Sequence, residues 1–205
     1  MTSLAQIRHA EPTEAAAVAG LIAEAFHPLA VSRWLVPDDD ARARIFPSYF
    51  QILVDHALTT GIVYLAAGGD GAAVWFPITA RTPLAEPDRY EERLRLACGP
   101  YTGRFHVLDN LFAAHHPTVS HHYLALIAVR PAAANRGIGG TLLTRHQGTL
   151  DRAGLGAYLE AADTRSARLY TRHGYRLQDP GPIHLPDDGP PLRPMWRPPA
   201  GPTHT

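Results

Sequence analysis

The chain has 205 residues, 45% of them hydrophobic, with 19 basic and 19 acidic side chains and a formal net charge of zero. That length suits one domain with a sizeable core. The neutral balance argues against a nucleic-acid binder, which needs a basic face against phosphates, and offers nothing to an anionic membrane surface. Every formally basic residue is arginine, and twelve histidines stand apart from that count. One cysteine, Cys98, has no internal disulfide partner, which suits a reducing compartment. The start, Met1 to Glu11, lacks an apolar signal core, and no run approaches the ~18 apolar residues of a membrane span. A soluble, cytoplasmic protein is expected.

A short strand is predicted over Gln6 to Ala10. An apolar-periodic helix follows over Ala15 to Phe26, with Thr13 as its N-cap. A helical piece over Ala30 to Leu35 ends before Pro37. A longer helix, capped among Asp38, Asp39 and Asp40, runs to about Thr59 across Pro47. The period then changes to that of a hairpin, Ile62 to Ala66 and Ala72 to Phe76, around Gly68-Gly69-Asp70-Gly71. Pro77 to Pro87 reads as a loop, Asp88 to Ala97 as a charged helix and Tyr101 to Ala114 as another. Tyr123 to Val129 is a nearly unbroken apolar run, as in a strand buried on both faces. Then come a helix over Gly137 to Ala153, a strand over Ala157 to Ala161, a helix over Arg165 to His173 and a strand from Tyr175. From about Pro180 the tail is proline-rich, with one strand near Met195-Trp196. These elements make a mixed α/β (α+β) sheet with helices on both faces, in one domain over residues 1–205.

The chemistry concentrates between Leu124 and Leu143. A buried strand ends at Val129-Arg130-Pro131, a loop Ala132 to Arg136 follows, and Gly137-Ile138-Gly139-Gly140 opens a helix. Glycines let the backbone approach a ligand, and the free amides of a first helical turn face an anion. Phosphate or pyrophosphate binding is the implied chemistry, although a glycine cluster alone also suits a plain tight turn. A dinucleotide fingerprint is disfavoured. Its third glycine position holds Leu142, seven residues separate Val129 from Gly137, and too little chain follows Glu160 for a doubly wound sheet.

The segment Val129-Arg130-Pro131 through Asn135-Arg136-Gly137-Ile138-Gly139-Gly140-Thr141-Leu142-Leu143 resembles the acetyl-CoA motif of the GNAT superfamily of N-acetyltransferases, Val-x-Pro-x-x-Gln/Arg-x-x-Gly-x-Gly/Ala. A second block, Leu159-Glu160-Ala161 to Leu169-Tyr170-Thr171-Arg172-His173-Gly174-Tyr175, resembles that superfamily's Leu-Tyr-x-x-x-Gly-Phe/Tyr signature. With the start Ile7-Arg8-x-Ala10-x-Pro12-x-Glu14, the likeness covers nearly the whole chain. Within the superfamily the chain is similar to the puromycin N-acetyltransferase group at His115-His116-Pro117, Tyr123-Leu124, Arg152-Ala153-Gly154 and Tyr158-Leu159-Glu160. Two departures stand out. Ala134 occupies the usual Gln/Arg position at the head of the loop, leaving a backbone N–H but no side-chain contact, and Asp163 replaces a commoner Asn before the last helix.

The resemblance implies a mostly antiparallel, twisted sheet and direct transfer of an acetyl group from acetyl-CoA to a primary amine in a ternary complex. The CoA-binding residues would be Ile127, Ala128, Val129, Ala134, Asn135, Arg136, Gly137, Ile138, Gly139, Gly140, Asp163 and Tyr170. A fixed backbone N–H near Ile127 to Val129 would serve the thioester oxygen. Tyr170 would assist the departing thiolate, because a phenol of pKa ~10 stays protonated at neutral pH. The base is left among His121, His122 and Glu160, since no carboxylate lies within Tyr123 to Val129.

Four histidines between His115 and His122 lack ligand spacing with Cys or Asp, so no metal is expected. Phe26, Trp34, Tyr49 and Phe76, with Phe50, are candidate walls of an acceptor pocket, although core packing would explain each equally well. The expected partner is a small-molecule amine, such as an antibiotic or an amino-bearing metabolite. An acetyltransferase of protein or peptide N-termini and a non-catalytic acyl-CoA sensor are the alternatives. The tail either covers the acceptor site or exchanges between subunits, so a homodimer is compatible with it.

Overall fold

The computed structural model describes residues 6–79 and 84–200. Part of the loop predicted over Pro77 to Pro87, residues 80–83, therefore lies outside the described residues. The elements in chain order are β1 (Ile7–His9), α1 (Ala15–Phe26), α2 (Ala30–Leu35), α3 (Asp39–Thr60), β2 (Ile62–Ala66), β3 (Gly71–Ile78), α4 (Tyr90–Cys98), α5 (Thr102–His115), β4 (His121–Val129), α6 (Ile138–Ala153), β5 (Gly156–Ala161), α7 (Thr164–Arg172), β6 (Arg176–Leu177), β7 (Ile183–His184) and β8 (Pro191–Arg197). The strands form one sheet in the order β1-β2-β3-β4-β5-β8-β6, with β7 on β8. All pairings are antiparallel except β4 with β5, which α6 connects.

The start of α1 differs from the expected Thr13 cap. Pro12–Glu14 forms a 3-10 turn, and Glu11 and Glu14 make a reciprocal capping box in which the Glu11 N–H donates to Glu14 Oε2 at 2.8 Å. In α3 the Asp38 carboxylate accepts from the Ala41 N–H at 2.6 Å, and the helix continues across Pro47, which removes one internal hydrogen bond. Predicted and observed helix bounds otherwise agree closely. The tail carries a hairpin, β7 with β8, of which only the second strand is signalled in the sequence.

The two sheet faces carry separate cores. Residues of α1, α2, α3 and α5 pack on one face with Val74, Tyr123, Leu126 and Tyr158. Those of α6 and α7 pack on the other with Trp75, Leu124, Ala157 and Leu159. Two features of β4 shape the centre. Its register against β3 slips between Val74 and Trp75, where Val74 pairs with Leu126 but Trp75 with Leu124, so Ala125 is the extra residue of a bulge. Its ladder with β5 covers only His121 to Tyr123, after which the strands diverge. From Leu124 onward the side of β4 turned away from β3 therefore lines a cleft.

Candidate active site

The cleft opens into a cavity of about 250 Å³ that reaches from β4 under α1, α2, α3 and α5. Its walls include the backbone run Leu124 to Val129, so Ile127, Ala128 and Val129 lie where the sequence expects them. Glu160 from β5 and Asp163, Ser166 and Tyr170 from the start and body of α7 complete the cleft side.

Below this cleft sits the loop before α6. Gly137, the N-cap of α6, has φ +80°, a left-handed conformation that suits glycine because it lacks a Cβ. The first helical bond runs from the Thr141 N–H to the Gly137 carbonyl at 3.0 Å. The amides of Ile138, Gly139 and Gly140 are thus left without an intrahelical acceptor. At Gly140 a Cβ would come within 3.1 Å of His173, so glycine also lets α6 approach the end of α7. This donor set fits the pyrophosphate of a CoA thioester. The Ala134 N–H is already committed to the Pro131 carbonyl at 3.1 Å, which removes it as a free donor. Asn135 is left-handed at φ +63° and its Oδ1 accepts from Arg165 Nη2 at 2.9 Å, while Arg136 lies 3.4 Å from Asp70. Two arginines therefore flank the loop.

Asp163 acts as the N-cap of α7. Its Oδ1 accepts from the Ser166 N–H at 2.7 Å, and Ser166 Oγ and the Asp163 N–H close the capping box at 3.2 Å. That cap fixes the helix carrying Tyr170, whose ring is 6% exposed. Burial pushes the Tyr170 phenol well above its ordinary pKa, with Tyr175 adding to the effect.

Glu160 is the distinctive charged group. The Tyr123 hydroxyl donates to its Oε2 at 2.8 Å, whereas its Oε1 is buried without a partner among the described residues. Burial raises this carboxyl to about 7, against the opposing pull of the Tyr123 and Tyr158 hydroxyls and its own backbone. Burial also pushes the Tyr123 and Tyr158 phenols up.

Neither candidate histidine lines the cavity. Strand alternation sends the adjacent pair to opposite faces. His121 is fully buried, with Nδ1 2.7 Å from the Val119 carbonyl and Nε2 3.2 Å from His116 Nε2. A carbonyl can only accept, so Nδ1 carries the proton and Nε2 accepts from His116. The His116 ring packs edge-on against Tyr123 and Tyr158, with centroids 4.8 and 5.2 Å away, so this pair braces the tyrosines beside Glu160. Burial lowers His121, and lowers His116 to about 4. His122 faces α6 instead, with Nδ1 2.9 Å from His146 Nε2, and burial lowers it as well.

Of the candidate acceptor residues, Phe26 and Tyr49 line the cavity, and Phe50 joins them. Trp34 and Phe76 do not. The Trp34 indole N–H donates to the Pro186 carbonyl at 3.0 Å, pinning the β7–β8 turn to α2, and Phe76 lies against His56 in the core. Leu108 and Phe112 of α5 and Leu192 of β8 are walls that no local pattern signals, because pocket position depends on how the helices cross the sheet. Cys98 is buried and pushed up to about 12, mainly by burial, so it is an unreactive thiol. Among the described residues no group of three or more His, Cys, Asp or Glu could hold a metal ion.

Residues 102–177 match the family model described as an acetyltransferase (GNAT) domain. A solved structure described as histone acetyltransferase HPA2 and related acetyltransferase from Corynebacterium glutamicum is 27% identical, over 97% of this chain and 98% of that one, with a TM-score of 0.71. Arylalkylamine N-acetyltransferase 2 from Aedes aegypti is 13% identical over 94% and 98%, with a TM-score of 0.63. The polyamine N-acetyltransferase of Drosophila melanogaster is 17% identical over 94% and 99%, with a TM-score of 0.60. At those identities the last two show a shared fold alone.

Proposed function

We propose that the chain, whose residues 102–177 match an acetyltransferase (GNAT) domain, is an acetyl-CoA-dependent N-acetyltransferase, that its acceptor is the primary amine of a small molecule and that transfer is direct, within one ternary complex. The observation that carries this reading is the shared cavity, which brings the Glu160 carboxylate, the Tyr170 phenol and the cleft side of β4 around one space. An aminoacyl-nucleoside antibiotic is the acceptor that the likeness to the puromycin group suggests.

Acetyl-CoA, when bound, supplies the acyl group already activated as a thioester. Glu160 takes the proton of the incoming ammonium at Oε1, the oxygen that Tyr123 leaves open. A carboxyl at about 7 is a better base near neutral pH than an ordinary glutamate. The unpaired side of β4 beyond Tyr123 offers fixed N–H donors where negative oxygen charge develops. Tyr170 lines the cavity and keeps its proton at neutral pH, so its hydroxyl would donate to the departing thiolate. His121 and His122 are assigned to packing, because their nitrogens are engaged with Val119, His116 and His146.

Thiol release from acetyl-CoA is followed with aminoacyl nucleosides, aminoglycosides, polyamines, aryl and alkyl amines and short peptides. Release with small amines and not with peptides is expected. Release with peptides alone would favour action on protein N-termini, and CoA binding without turnover of any amine would favour a sensor. Tyr170→Phe is expected to lower kcat about ten-fold or more with acetyl-CoA affinity near unchanged. An unchanged rate removes Tyr170 from the mechanism.

A further inference from the structure

The cavity walls are chemically one-sided. Away from the cleft they are built from Phe26, Phe46, Tyr49 and Phe50, whose rings meet Phe50 with centroids 5.1 to 5.4 Å apart. Leu108 and Phe112 of α5 complete the apolar lining. Among the described residues no arginine or histidine lines the space, and the carboxylates that do are Glu160 and Asp163. Asp163 is occupied as the cap of α7. That leaves a single buried, unpartnered carboxylate oxygen, Glu160 Oε1, in an otherwise apolar and hydroxyl-bearing space.

A ligand ammonium on Glu160 meets its counter-charge. A second ammonium on the same ligand reaches the phenylalanine and leucine wall, which offers it no carboxylate among the described lining residues. An aromatic or aliphatic body at the same place gains contact with rings and methyl groups instead.

We propose, resting on the transferase reading above, that the acceptor is a primary monoamine with a compact aromatic or aliphatic body, its nitrogen on Glu160 and its body on the Phe50–Leu108–Phe112 wall, and that diamines and polyamines are rejected. The shared fold leaves this choice open, because structures described as arylalkylamine and as polyamine acetyltransferases both have it.

The test compares isosteric acceptors on the wild-type enzyme at saturating acetyl-CoA. Hexylamine and 1,5-diaminopentane differ only in a terminal methyl against a terminal ammonium, and 2-phenylethylamine adds the aromatic case. The expected result is a kcat/KM for hexylamine and 2-phenylethylamine at least a hundred-fold above that for the diamine. A diamine used as well as hexylamine overturns the proposal, as does turnover of peptides or aminoglycosides with neither monoamine accepted. In both cases the transferase reading survives. Thiol release with no amine whatever overturns that reading, and this proposal with it. A second measurement uses Phe112→Glu, which adds a carboxylate to the apolar wall. It is expected to raise the ratio of diamine to hexylamine kcat/KM ten-fold or more, and an unmoved ratio in a folded variant counts against the assigned wall.

Discussion

At the scale of single residues, Glu160 combines a catalytic gain with a stability cost. Its folded pKa of about 7 lies above the ordinary 4.5 because burial disfavours the charge. The native chain therefore holds this proton more tightly than the unfolded chain does. The stability it contributes is complete below about 4.5 and is lost as pH rises through about 7. At the pH where the carboxylate works as a base, it strains the fold. Glu160→Gln keeps the shape and removes the charge, so two opposite changes are expected. Turnover at pH 8 falls by about a hundred-fold or more, while the melting temperature at pH 8 rises by a few degrees and at pH 5 hardly changes. The wild-type kcat/KM profile should rise through pH about 7, a limb that the variant lacks. A variant that retains full turnover, or that melts lower at pH 8, contradicts this account of Glu160.

At the scale of elements, the site depends on how helices begin. Helix α7 is nine residues long and exposed on most of its length, so its capping box at Asp163 and Ser166 is a large part of what holds Tyr170 in place. Asp163→Ala is expected to cost about 1 kcal/mol of stability, read by denaturant unfolding, and to lower kcat more than it raises the KM for acetyl-CoA. A change confined to that KM would instead make Asp163 a cofactor contact. These short-range features are the ones legible in the sequence. The Gly137-to-Gly140 helix start, the buried strand before it and Tyr170 on the last helix all follow from local pattern. The bulge at Ala125 does not, because it is a slip between two strands and leaves no mark in either one alone. The divergence of β4 from β5, the separation of His121 from His122 and the identity of the apolar cavity wall are likewise products of assembly. Trp34 illustrates the same limit. Its aromatic character suggested a pocket wall, but its indole N–H is used to fasten the β7–β8 turn.

At the scale of the whole molecule, the neutral balance of arginine and acid leaves pH sensitivity to the buried histidines. His146 of α6 is fully buried, stacked on Trp75 of β3 at 4.1 Å, and bonded to His122 of β4 and Tyr64 of β2, with His9 of β1 adding its charge when protonated. Burial lowers it to about 3, and burial lowers His116 to about 4, with His121 and His122 shifted the same way. Each has a folded pKa below its unfolded 6.5, so the unfolded chain takes up protons that the native chain refuses. The stability they contribute is complete above about 6.5 and is lost as pH falls below it. At pH 5 the loss for His146 alone is about 2 kcal/mol, or a drop of about 5 °C in melting temperature for a chain of this size. Glu160 acts in the opposite sense between 4.5 and about 7, and the Asp109 carboxyl is likewise raised by burial, but these are two groups set against four. The melting temperature should therefore fall steeply from pH 7 to pH 5. His146→Phe keeps a ring on Trp75 but loses the bonds to His122 and Tyr64, so it should melt lower than wild type at pH 8 yet decline less towards pH 5. A wild-type melting temperature that stays level from pH 8 to pH 5 would show that these rings are not buried and neutral in solution.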